Sequence, residues 1–532
     1  MKRRSFIKSL GAVGASAVLP STWPRAFDMS TMYKSANAAI DYAGAQISAP
    51  EYMPQVINIF LYGGPSELSG NLTNIVDIDT NSQNSYATAF GGQILRPQGD
   101  PNGGLITPNG FWSGAGGDDM EFLLKGNGTL GDAHMSVYRT LHKVKDGTRS
   151  HRESILMSQK GSLDIENSAG VGTRIAAMLY QNRASFASAK FADESPVDLD
   201  NIVLPFVSFE GDTRSFAMDP DYAIPLLLRG TTLDEQLQDP FSRTASTDGN
   251  AGKLDPMVLK KLADPVYRSR FSGVVDADEL RAYLASKIGN VQTARDAGLP
   301  TVTDADDLTA LGLDPAAGPA PLVYPNPNPN VNRYSARIRA AVTLAIENPS
   351  SMYITVGGGL GGWDDHNNGI DNYPSRMNQL FDALKSAALH IKYANGTTPG
   401  GISRSTDNIV INVYGDFGRR VNLNNSEGWD HGNNQNLWTI GGSGCINAAQ
   451  GGSRELGKIV GRTQRVGTPG TNNQVTEPEA GSYQAEPMSI AAAVYSYFGV
   501  TNPEILTADP DLNPEGDPAL NDTGTAPGET VV

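Results

Sequence analysis

Two stretches of the chain share one plan, an apolar run that ends in a glycine turn followed by acidic and imidazole side chains. The first is 352–366, MYITVGGGLGGWDDH, and the second is 409–433, IVINVYGDFGRRVNLNNSEGWDHGN. The run 409–414 is too short for a typical helix and apolar on both faces, which predicts an interior strand of a mostly parallel sheet. Ligands of such sheets gather at the carboxyl ends of the strands. Both stretches are therefore expected to aim acids and histidines at one sheet edge.

Other segments supply the further elements of an α/β fold. Helical patterns precede and follow the strand at 352–356, which implies crossover connections and a parallel sheet covered on both sides. Further strands are predicted at 56–62, 135–141 and 201–209. Helices are predicted at 120–124, directly after Ser150, and at 170–183, 335–348, 375–393 and 488–498.

Length and composition fit one large domain with long connections. The chain has 532 residues, 58 Gly and 33 Pro, and no long interior linker. Residues 55–500 are expected to form the domain, and the polar helical segments of 230–335 are interpreted as an insertion or cap above the sheet. Residues 508–532 carry several acids and no Lys or Arg, which predicts a mobile tail.

The N-terminus has the layout of an export signal. Lys2-Arg3-Arg4 precedes a mild apolar run from Leu10 to Leu19, which predicts a twin-arginine signal over residues 1–38. A short membrane anchor or a Sec signal is the alternative, but the run is too short to span a bilayer. The expected partner is the twin-arginine translocation machinery, and the expected location is periplasmic or secreted. The net charge of −16 argues against a nucleic-acid partner.

Acids and histidines of the two motifs form a candidate metal site. Only six histidines occur in the chain. Asp364, His366 and His431, with Asp430 as a further candidate, make a mixed nitrogen and oxygen set suited to Zn, Mn or another divalent ion. The i, i+2 spacing of the first two points both side chains to one side of an extended segment. The alternative is that these side chains only cap turns and satisfy loop backbone.

Three further residues are candidates for catalysis. Arg419 can clamp a phosphate or sulfate, or form a salt bridge to Asp416 or the acidic loops. Ser150 is either a nucleophile at a helix start or a plain N-cap. For His151, the roles of metal ligand, orienting group and leaving-group acid all stay open.

The motifs occur in an order that resembles a known family. GGPSEL follows the first strand, RSH precedes a helix, GGWDDH follows a central strand, and GDFGRR is followed by WDH. In this order, over about residues 55–500, the chain resembles the bacterial family called domain of unknown function 1501. That family is usually exported by the twin-arginine route and is related to the alkaline phosphatase and sulfatase superfamily. The resemblance implies a three-layer α/β/α sandwich with metals held by Asp and His at the sheet's carboxyl edge.

The resemblance also implies roles for single residues. Family members commonly read GGWD[ST]H, so Asp364 and His366 are the implied ligand pair, with Asp365 at the variable position. They commonly read EFGR, and Asp416 takes the place of that glutamate as an implied ligand. The wider superfamily has Asp-His where this chain has Asp416-Phe417, which implies that half of one metal site is missing.

Two other superfamily features map less directly. The first-strand aspartate has no equivalent in GGPSEL unless Glu67 serves. The superfamily nucleophile, a Ser or Thr at a helix start, falls near Thr148 or Ser150.

Two functions follow from these observations. The first is a hydrolase of phosphate or sulfate esters that uses a divalent ion, Zn, Mn or Ca, and acts on a small molecule or polysaccharide. In it, Asp364, His366, His431 and Asp416 hold one or two ions, Arg419 holds the anion, and Ser150 or a metal-bound water attacks. The second is a catalytically reduced member that binds a surface polymer or a partner protein, which the phenylalanine at 417 favours.

Overall fold

The computed structural model describes most of the predicted domain. The described residues are 42–66, 94–97, 104–126, 132–166, 168–199, 202, 204–210, 213–217, 294, 297–325, 334–357, 362–396, 404–468, 474–507, 516–524 and 530–531. The predicted export signal (1–38), Glu67 and the predicted helical segments of 230–293 lie outside them. None of the helices within these ranges combines the length and the hydropathy that a bilayer crossing requires.

Eight strands of the described residues form one mixed sheet. They are β1 (Gln55–Leu61), β2 (Met135–His142), β3 (Phe206–Ser208), β4 (Tyr353–Gly357), β5 (Ile409–Gly415), β6 (Asn434–Gly441), β7 (Lys458–Val460) and β8 (Thr530–Val531). Their order across the sheet is β8-β7-β2-β6-β5-β1-β4-β3. Because β6 is antiparallel to both β2 and β5, while β8 is antiparallel to β7, the other six strands run in one direction.

Helices cover both faces of this sheet. They are α1 (Gly117–Lys125), α2 (His151–Lys160), α3 (Val171–Gln181), α4 (Ala305–Ala310), α5 (Tyr334–Glu347), α6 (Gly369–Ala394), α7 (Met488–Tyr497) and α8 (Glu504–Thr507). Side chains of β1 alternate between two cores: Ile57 and Ile59 pack with α1, α5 and α6, whereas Val56 and Phe60 pack with α3 and α7. The predicted α/β class, with a mostly parallel sheet between helical layers, is confirmed.

Buried amides align the central strands. Asn58 of β1 and Asn412 of β5 lie opposite each other in the register of the two strands. The amide of Asn412 donates to Asn58 Oδ1 at 3.1 Å, and Asn58 donates to the hydroxyl of Tyr353 at 2.7 Å. A slip of one residue would leave these buried groups without partners, so the pair favours a single register.

The described residues also form short two-stranded ribbons outside the main sheet. They are Ile94–Pro97 with Gly104–Ile106, Thr301–Val302 with Ala320–Pro321, Arg419–Leu423 with Trp429–His431, Ile446–Asn447 with Gly452–Ser453, and Thr463–Val466 with Val475–Pro478. The ribbon Arg419–Leu423/Trp429–His431, called the site ribbon below, pairs Arg419 with His431. It therefore folds the end of the second motif back onto the start of that motif.

Helix α6 begins earlier than the sequence pattern indicates. The predicted start was 375, but the helix begins at Gly369 and contains Pro374 in its second turn. The backbone N–H of Ile370 donates to the carbonyl of Glu427 at 3.2 Å, and Tyr373 is fully buried. These tertiary contacts with the loop of the site ribbon hold a first turn that local propensity does not predict.

The described part of the predicted insertion does not lie above the strand ends. Residues 297–325 pack against the last turns of α6, where Lys392 forms an ion pair with Asp307 at 2.9 Å. The hydroxyl of Tyr324 contacts His390 Nδ1 at 3.1 Å. This region lies at the far end of α6 from Gly369, which is about 38 Å away along a helix of this length.

Part of the acidic tail is packed, unlike the mobile tail expected from composition. Asp522 is buried and forms an ion pair with the buried Arg454 at 3.2 Å. It also accepts a hydrogen bond from Asn447 Nδ2 at 2.6 Å and another from the hydroxyl of Tyr497. Composition cannot reveal this contact, because the partner charge lies 68 positions earlier in the chain (522 minus 454).

We expect Asp522→Ala to destabilise the protein by about 3–5 kcal/mol, because removing one partner leaves the Arg454 charge buried and uncompensated. Urea unfolding followed by circular dichroism measures the change. Glu455→Ala is the matched control, since its carboxylate is half-exposed beside Lys458. A loss of less than about 1 kcal/mol for Asp522→Ala, the range of exposed pairs, would contradict a buried role for the tail.

Candidate metal centre

Four strand ends meet at one edge of the sheet. The parallel strands β1, β4 and β5 lead at this edge into residues 62–66, 362–366 and 416–418 respectively. Strand β2 runs in the same direction and leads through residues 143–150 into α2. Both motifs therefore lie at one edge of the sheet, as the sequence predicts. The candidate site is formed at this edge.

Three imidazoles and one carboxylate converge there. Within the described part of the chain, His151, Asp364, His366 and His431 form a group whose ligand atoms all lie within 4.8 Å of one another. The Nε2 atoms of His151 and His366 each lie 3.3 Å from Asp364 Oδ1, and that of His431 lies 3.8 Å from it. Imidazole nitrogens with one carboxylate oxygen are a donor set typical of Zn²⁺ and related ions.

The opposite nitrogens of two imidazoles are held by acceptors. His151 Nδ1 contacts Asp416 Oδ2 at 2.6 Å, and His431 Nδ1 contacts the backbone carbonyl of Arg149 at 2.9 Å. A proton on each Nδ1 satisfies these acceptors and leaves the Nε2 lone pair directed at the centre. Metal-binding histidines commonly have this arrangement. His366 Nδ1 lies 3.4 Å from Asp430 Oδ1, so a carboxylate stands behind the third ring as well.

The arrangement of the Nε2 atoms fits a cation. His151 Nε2 is buried and has no hydrogen-bond partner among the described residues. The Nε2 atoms of His366 and His431 face each other at 2.8 Å. With His431 protonated on Nδ1, its Nε2 presents a lone pair to this contact. A divalent ion among the four donors would satisfy the orphaned nitrogen, so the residues present fit a metal.

Electrostatics keep two of the ligands in metal-binding states. Burial and the positive charges around it, chiefly Arg419, lower the pKa of His431 to about 4. Burial would raise the pKa of Asp364, but the hydrogen bond and charge of Arg419 outweigh it and lower that pKa. At neutral pH His431 is therefore neutral and Asp364 ionised, as coordination requires. The hydrogen bond to Asp416 raises the pKa of His151.

Arg419 is a structural group, not the anion clamp proposed from sequence. Its guanidinium is completely buried and donates to Asp364 Oδ1 at 2.8 Å. It also donates to backbone carbonyls of three different loops: Gly63, Gly64 (2.7 Å), Trp363 (3.2 Å) and Trp429 (3.0 Å). Of the two roles considered, the salt bridge is the one formed, and its partner is Asp364 in the acidic loop after β4. Arg419 thus orients a ligand and ties the loops together.

Asp416 and Asp430 stand behind the ligands, although both were predicted to bind metal. The carboxylate of Asp416 is fully buried and accepts from the backbone N–H of Gly63 at 3.1 Å as well as from His151. Asp430 Oδ1 accepts from Asn424 Nδ2 at 3.3 Å. Neither belongs to the convergent group, because their oxygens face the outer nitrogens of the histidines.

The start of α2 brings the third predicted catalytic segment into the site. Ser150 is the N-cap residue of α2, yet its side chain forms no capping hydrogen bond. The plain N-cap interaction is therefore not formed. His151, the first residue of the helix, lies in the donor group, and this geometry supports the metal-ligand role among those left open.

Phe417 packs beside two of the imidazoles. Its ring lies 4.6 Å from that of His151 and 4.5 Å from that of His431, centroid to centroid, and it is fully buried. Its ring therefore covers two of the candidate ligands with apolar surface. Asp365 is buried in an ion pair with Arg376 and does not face the donor group.

Arg149 is a site residue to which the sequence assigned no role. Its carbonyl accepts from His431, and its exposed guanidinium donates to Asn433 at 3.1 Å. Burial of part of the side chain and the nearby charge of Arg420 lower the pKa of Arg149. The exposed guanidinium of Arg149 is therefore carried by the segment that directly precedes His151. The available signal was the position of Arg149, directly before Ser150 and His151.

Comparisons with known proteins give only weak similarities. No protein-family model matches the chain, and no curated protein matches it. A protein from Pyrococcus horikoshii, PH0037, is similar at 11% identity over 74% of this chain and 88% of that chain, with a TM-score of 0.23. The phosphonate monoester hydrolase SpPMH from Silicibacter pomeroyi is similar at 11% identity over 88% of this chain and 78% of that chain, with a TM-score of 0.25. Both TM-scores are below 0.5, so these structures establish neither a family nor an activity.

We expect Asp416→Asn to weaken metal binding by about 10- to 100-fold, because the carboxylate that holds His151 Nδ1 is lost while the four ligands remain. Competition with a chromophoric chelator measures the affinity for Zn²⁺. Asp371→Asn, at an exposed acid in the first turn of α6, is the control and should leave the affinity unchanged. Equal affinity of Asp416→Asn and the unaltered protein would refute the orienting role.

Proposed function

We propose that the protein is a metal-dependent hydrolase of phosphate or sulfate esters. The observation that carries the proposal is the convergence of three imidazole nitrogens on Asp364 Oδ1, with acceptors behind the rings. Assembling such a group from three separate segments of the chain is costly for mere turn capping, and perturbed ionisable groups cluster at functional sites. Arg149, which is exposed, supplies one of these acceptors through its backbone carbonyl, so a positive side chain of the kind an anionic substrate requires belongs to the same segment.

His151, Asp364, His366 and His431 would hold one divalent ion. Three imidazoles favour Zn or Mn over Ca, which prefers oxygen ligands. When bound, the ion supplies Lewis acidity toward the phosphoryl or sulfuryl oxygens. We infer one ion per chain, because Phe417 replaces a further ligand and Asp416 is engaged by Gly63 and His151.

Two nucleophiles fit the proposal, the hydroxyl of Ser150 and a water molecule. Ser150 directly precedes the ligand His151 at the N-terminus of α2, and its side chain is not used as a cap. Attack by its oxygen would form a bond to phosphorus or sulfur while the ester oxygen leaves as the alcohol; hydrolysis of that intermediate would return the serine. The positive end of the helix favours negative charge at this position.

Arg149 would hold the substrate's anionic group in place of Arg419. The guanidinium of Arg419 is buried and engaged by backbone carbonyls, so it is closed to a ligand. Arg149 is exposed at the rim, and Arg420 adds a second positive charge nearby. Planar guanidiniums match the geometry of phosphate and sulfate oxygens.

The substrate class is a phosphorylated or sulfated small molecule or polysaccharide. Export by the twin-arginine route, with a periplasmic or secreted location, stays a prediction from residues 1–38, as does membership of the domain of unknown function 1501 family.

We expect protein from its native host to contain about one Zn or Mn per chain and to hydrolyse members of a panel of aryl phosphates and sulfates. Asp364→Ala and His431→Ala should lower kcat/KM by at least about 10³-fold, because each removes a ligand. Elemental analysis and release of the chromogenic alcohol are the measurements. Ser150→Ala distinguishes the nucleophiles: loss of turnover favours the serine, and retained turnover favours water.

The same measurements distinguish the hydrolase from the second function considered from sequence. A stoichiometric metal without turnover on any ester would favour the catalytically reduced binding protein. Absence of both metal and turnover would refute the hydrolase. Turnover that either ligand substitution abolishes would rule out a purely binding role.

We expect Arg149→Ala to raise KM for the best ester by about tenfold with a smaller effect on kcat, because a charge-assisted contact to the substrate is lost. Steady-state kinetics on the same panel measure the split. Arg152→Ala is the matched control, since that arginine is exposed one turn away and pairs with Glu166 at 2.9 Å. An unchanged KM would show that the anion is held by other groups.

A further inference from the structure

A buried guanidinium in the layer formed by α2, α3 and α7 forms no ion pair with any residue that the structure describes. Arg174, on α3, has a completely buried side chain. Among the residues that the structure describes, none of its three guanidinium nitrogens has a hydrogen-bond partner. An arginine stays charged at any ordinary pH. Buried charges are normally paired because isolated ones are very unfavourable, so this position requires acceptors that the described residues do not supply.

A second unpartnered donor belongs to the same layer. Tyr495, on α7, is completely buried, and its hydroxyl makes no hydrogen bond within the described ranges. A Cβ atom on Gly161, at the end of α2, would lie 3.7 Å from this hydroxyl and 3.2 Å from Val171 Cγ2. Val171 and Arg174 are three residues apart and share one face of α3. The two donors thus belong to one junction of three helices.

The charges around the junction support this placement. Burial raises the pKa of Tyr495, and the positive charge of Arg174 opposes that rise, so the two groups are near each other. The hydroxyl is therefore a neutral donor at physiological pH. Burial also lowers the pKa of Lys160, and Arg174 adds to that effect against the opposing charges of Asp164 and Glu166. Lys160 already donates to the carbonyl of Ile165 at 2.7 Å and adds positive potential to the junction.

We infer that Arg174 and Tyr495 bind a small inorganic anion, of the size and charge of chloride, at the junction of α2, α3 and α7. The guanidinium offers five N–H donors and the hydroxyl one, so an acceptor with negative charge satisfies both. The two side chains nearest to Gly161 at the junction, Val171 and Ala491, form an apolar wall and are 2% and 3% exposed. Such a wall favours a small ion over an organic one. A water molecule would provide acceptors but would not neutralise the charge.

This anion site is separate from the metal centre. Helix α2 begins at the proposed ligand His151 and ends at Lys160, so the two sites lie at opposite ends of a ten-residue helix. That separation is about 15 Å along the helix axis. The inference does not depend on the hydrolase activity.

The first test is the thermal stability of the full chain in sodium gluconate, with gluconate replaced stepwise by chloride or bromide at constant ionic strength. We expect the melting temperature to rise by about 2 °C when the halide exceeds its dissociation constant roughly tenfold. Arg174→Met keeps the length of the side chain without its charge and should abolish the rise. Arg183→Met, at an exposed arginine just after α3, should retain it.

Crystals grown in bromide provide a test that does not need a folded variant. An anomalous peak within about 3.5 Å of the Arg174 guanidinium, the reach of a direct contact, is expected. The inference would be overturned if the crystals show only water at the junction and the melting temperature does not change with halide concentration. A halide effect that persists in Arg174→Met would place the anion elsewhere and overturn it as well.

Discussion

The candidate site depends on one buried guanidinium, that of Arg419. Its donors reach backbone carbonyls after β1, after β4 and in the site ribbon, and one of them reaches Asp364. Carbonyl groups in loops at strand ends usually accept hydrogen bonds from water. Here one planar cation donates to carbonyls of three segments, so it restricts the conformations of all three. The contact also demands close approach: Gly63 has φ +110°, and a Cβ there would lie 2.5 Å from the backbone nitrogen of Asp364.

Polar groups behind the candidate ligands then determine which imidazole nitrogens are available to a cation. Asp416 and the carbonyl of Arg149 hold the outer nitrogens of two imidazoles, which leaves their inner nitrogens for a cation. Phe417 fills the space beside these rings with apolar surface. An aromatic ring offers no donor atom to an ion, and it lowers the local dielectric around the imidazoles that it contacts. The proposed single-ion site is the consequence.

Helix α2 connects this edge to the interior. Its first residue is the proposed ligand His151, and its last turn borders the junction where Arg174 and Tyr495 have no acceptor among the described residues. A rigid helix transmits the packing at one end to the position of a side chain at the other, since its backbone hydrogen bonds resist bending. Packing of α2 against α7 therefore contributes to the geometry of the metal centre without any direct contact to it.

The sequence by itself determined the fold class and which edge of the sheet carries chemistry. Apolar runs such as 409–414 have the period and length of buried strands, and strand direction then places the following acids and histidines together. This reasoning could predict Asp364, His366 and His431 as site residues, because the first two follow β4 and His431 lies in the site ribbon that follows β5. The prediction of a mobile tail was wrong for residues 516–524. Composition records only local charge, whereas Asp522 is held by an ion pair with the distant Arg454.

Only the tertiary structure decided which polar side chains face the centre and which stand behind it. Asp416 and Arg419 carry the residue types of a ligand and an anion clamp, but both are buried, and their partners come from the loops after β1, β2 and β4. Helix α2 begins beside the end of β5, and this position brings His151 into the donor group and Arg149 next to it. Periodicity along a chain predicts the side to which a residue points, whereas its partners depend on segments hundreds of positions away.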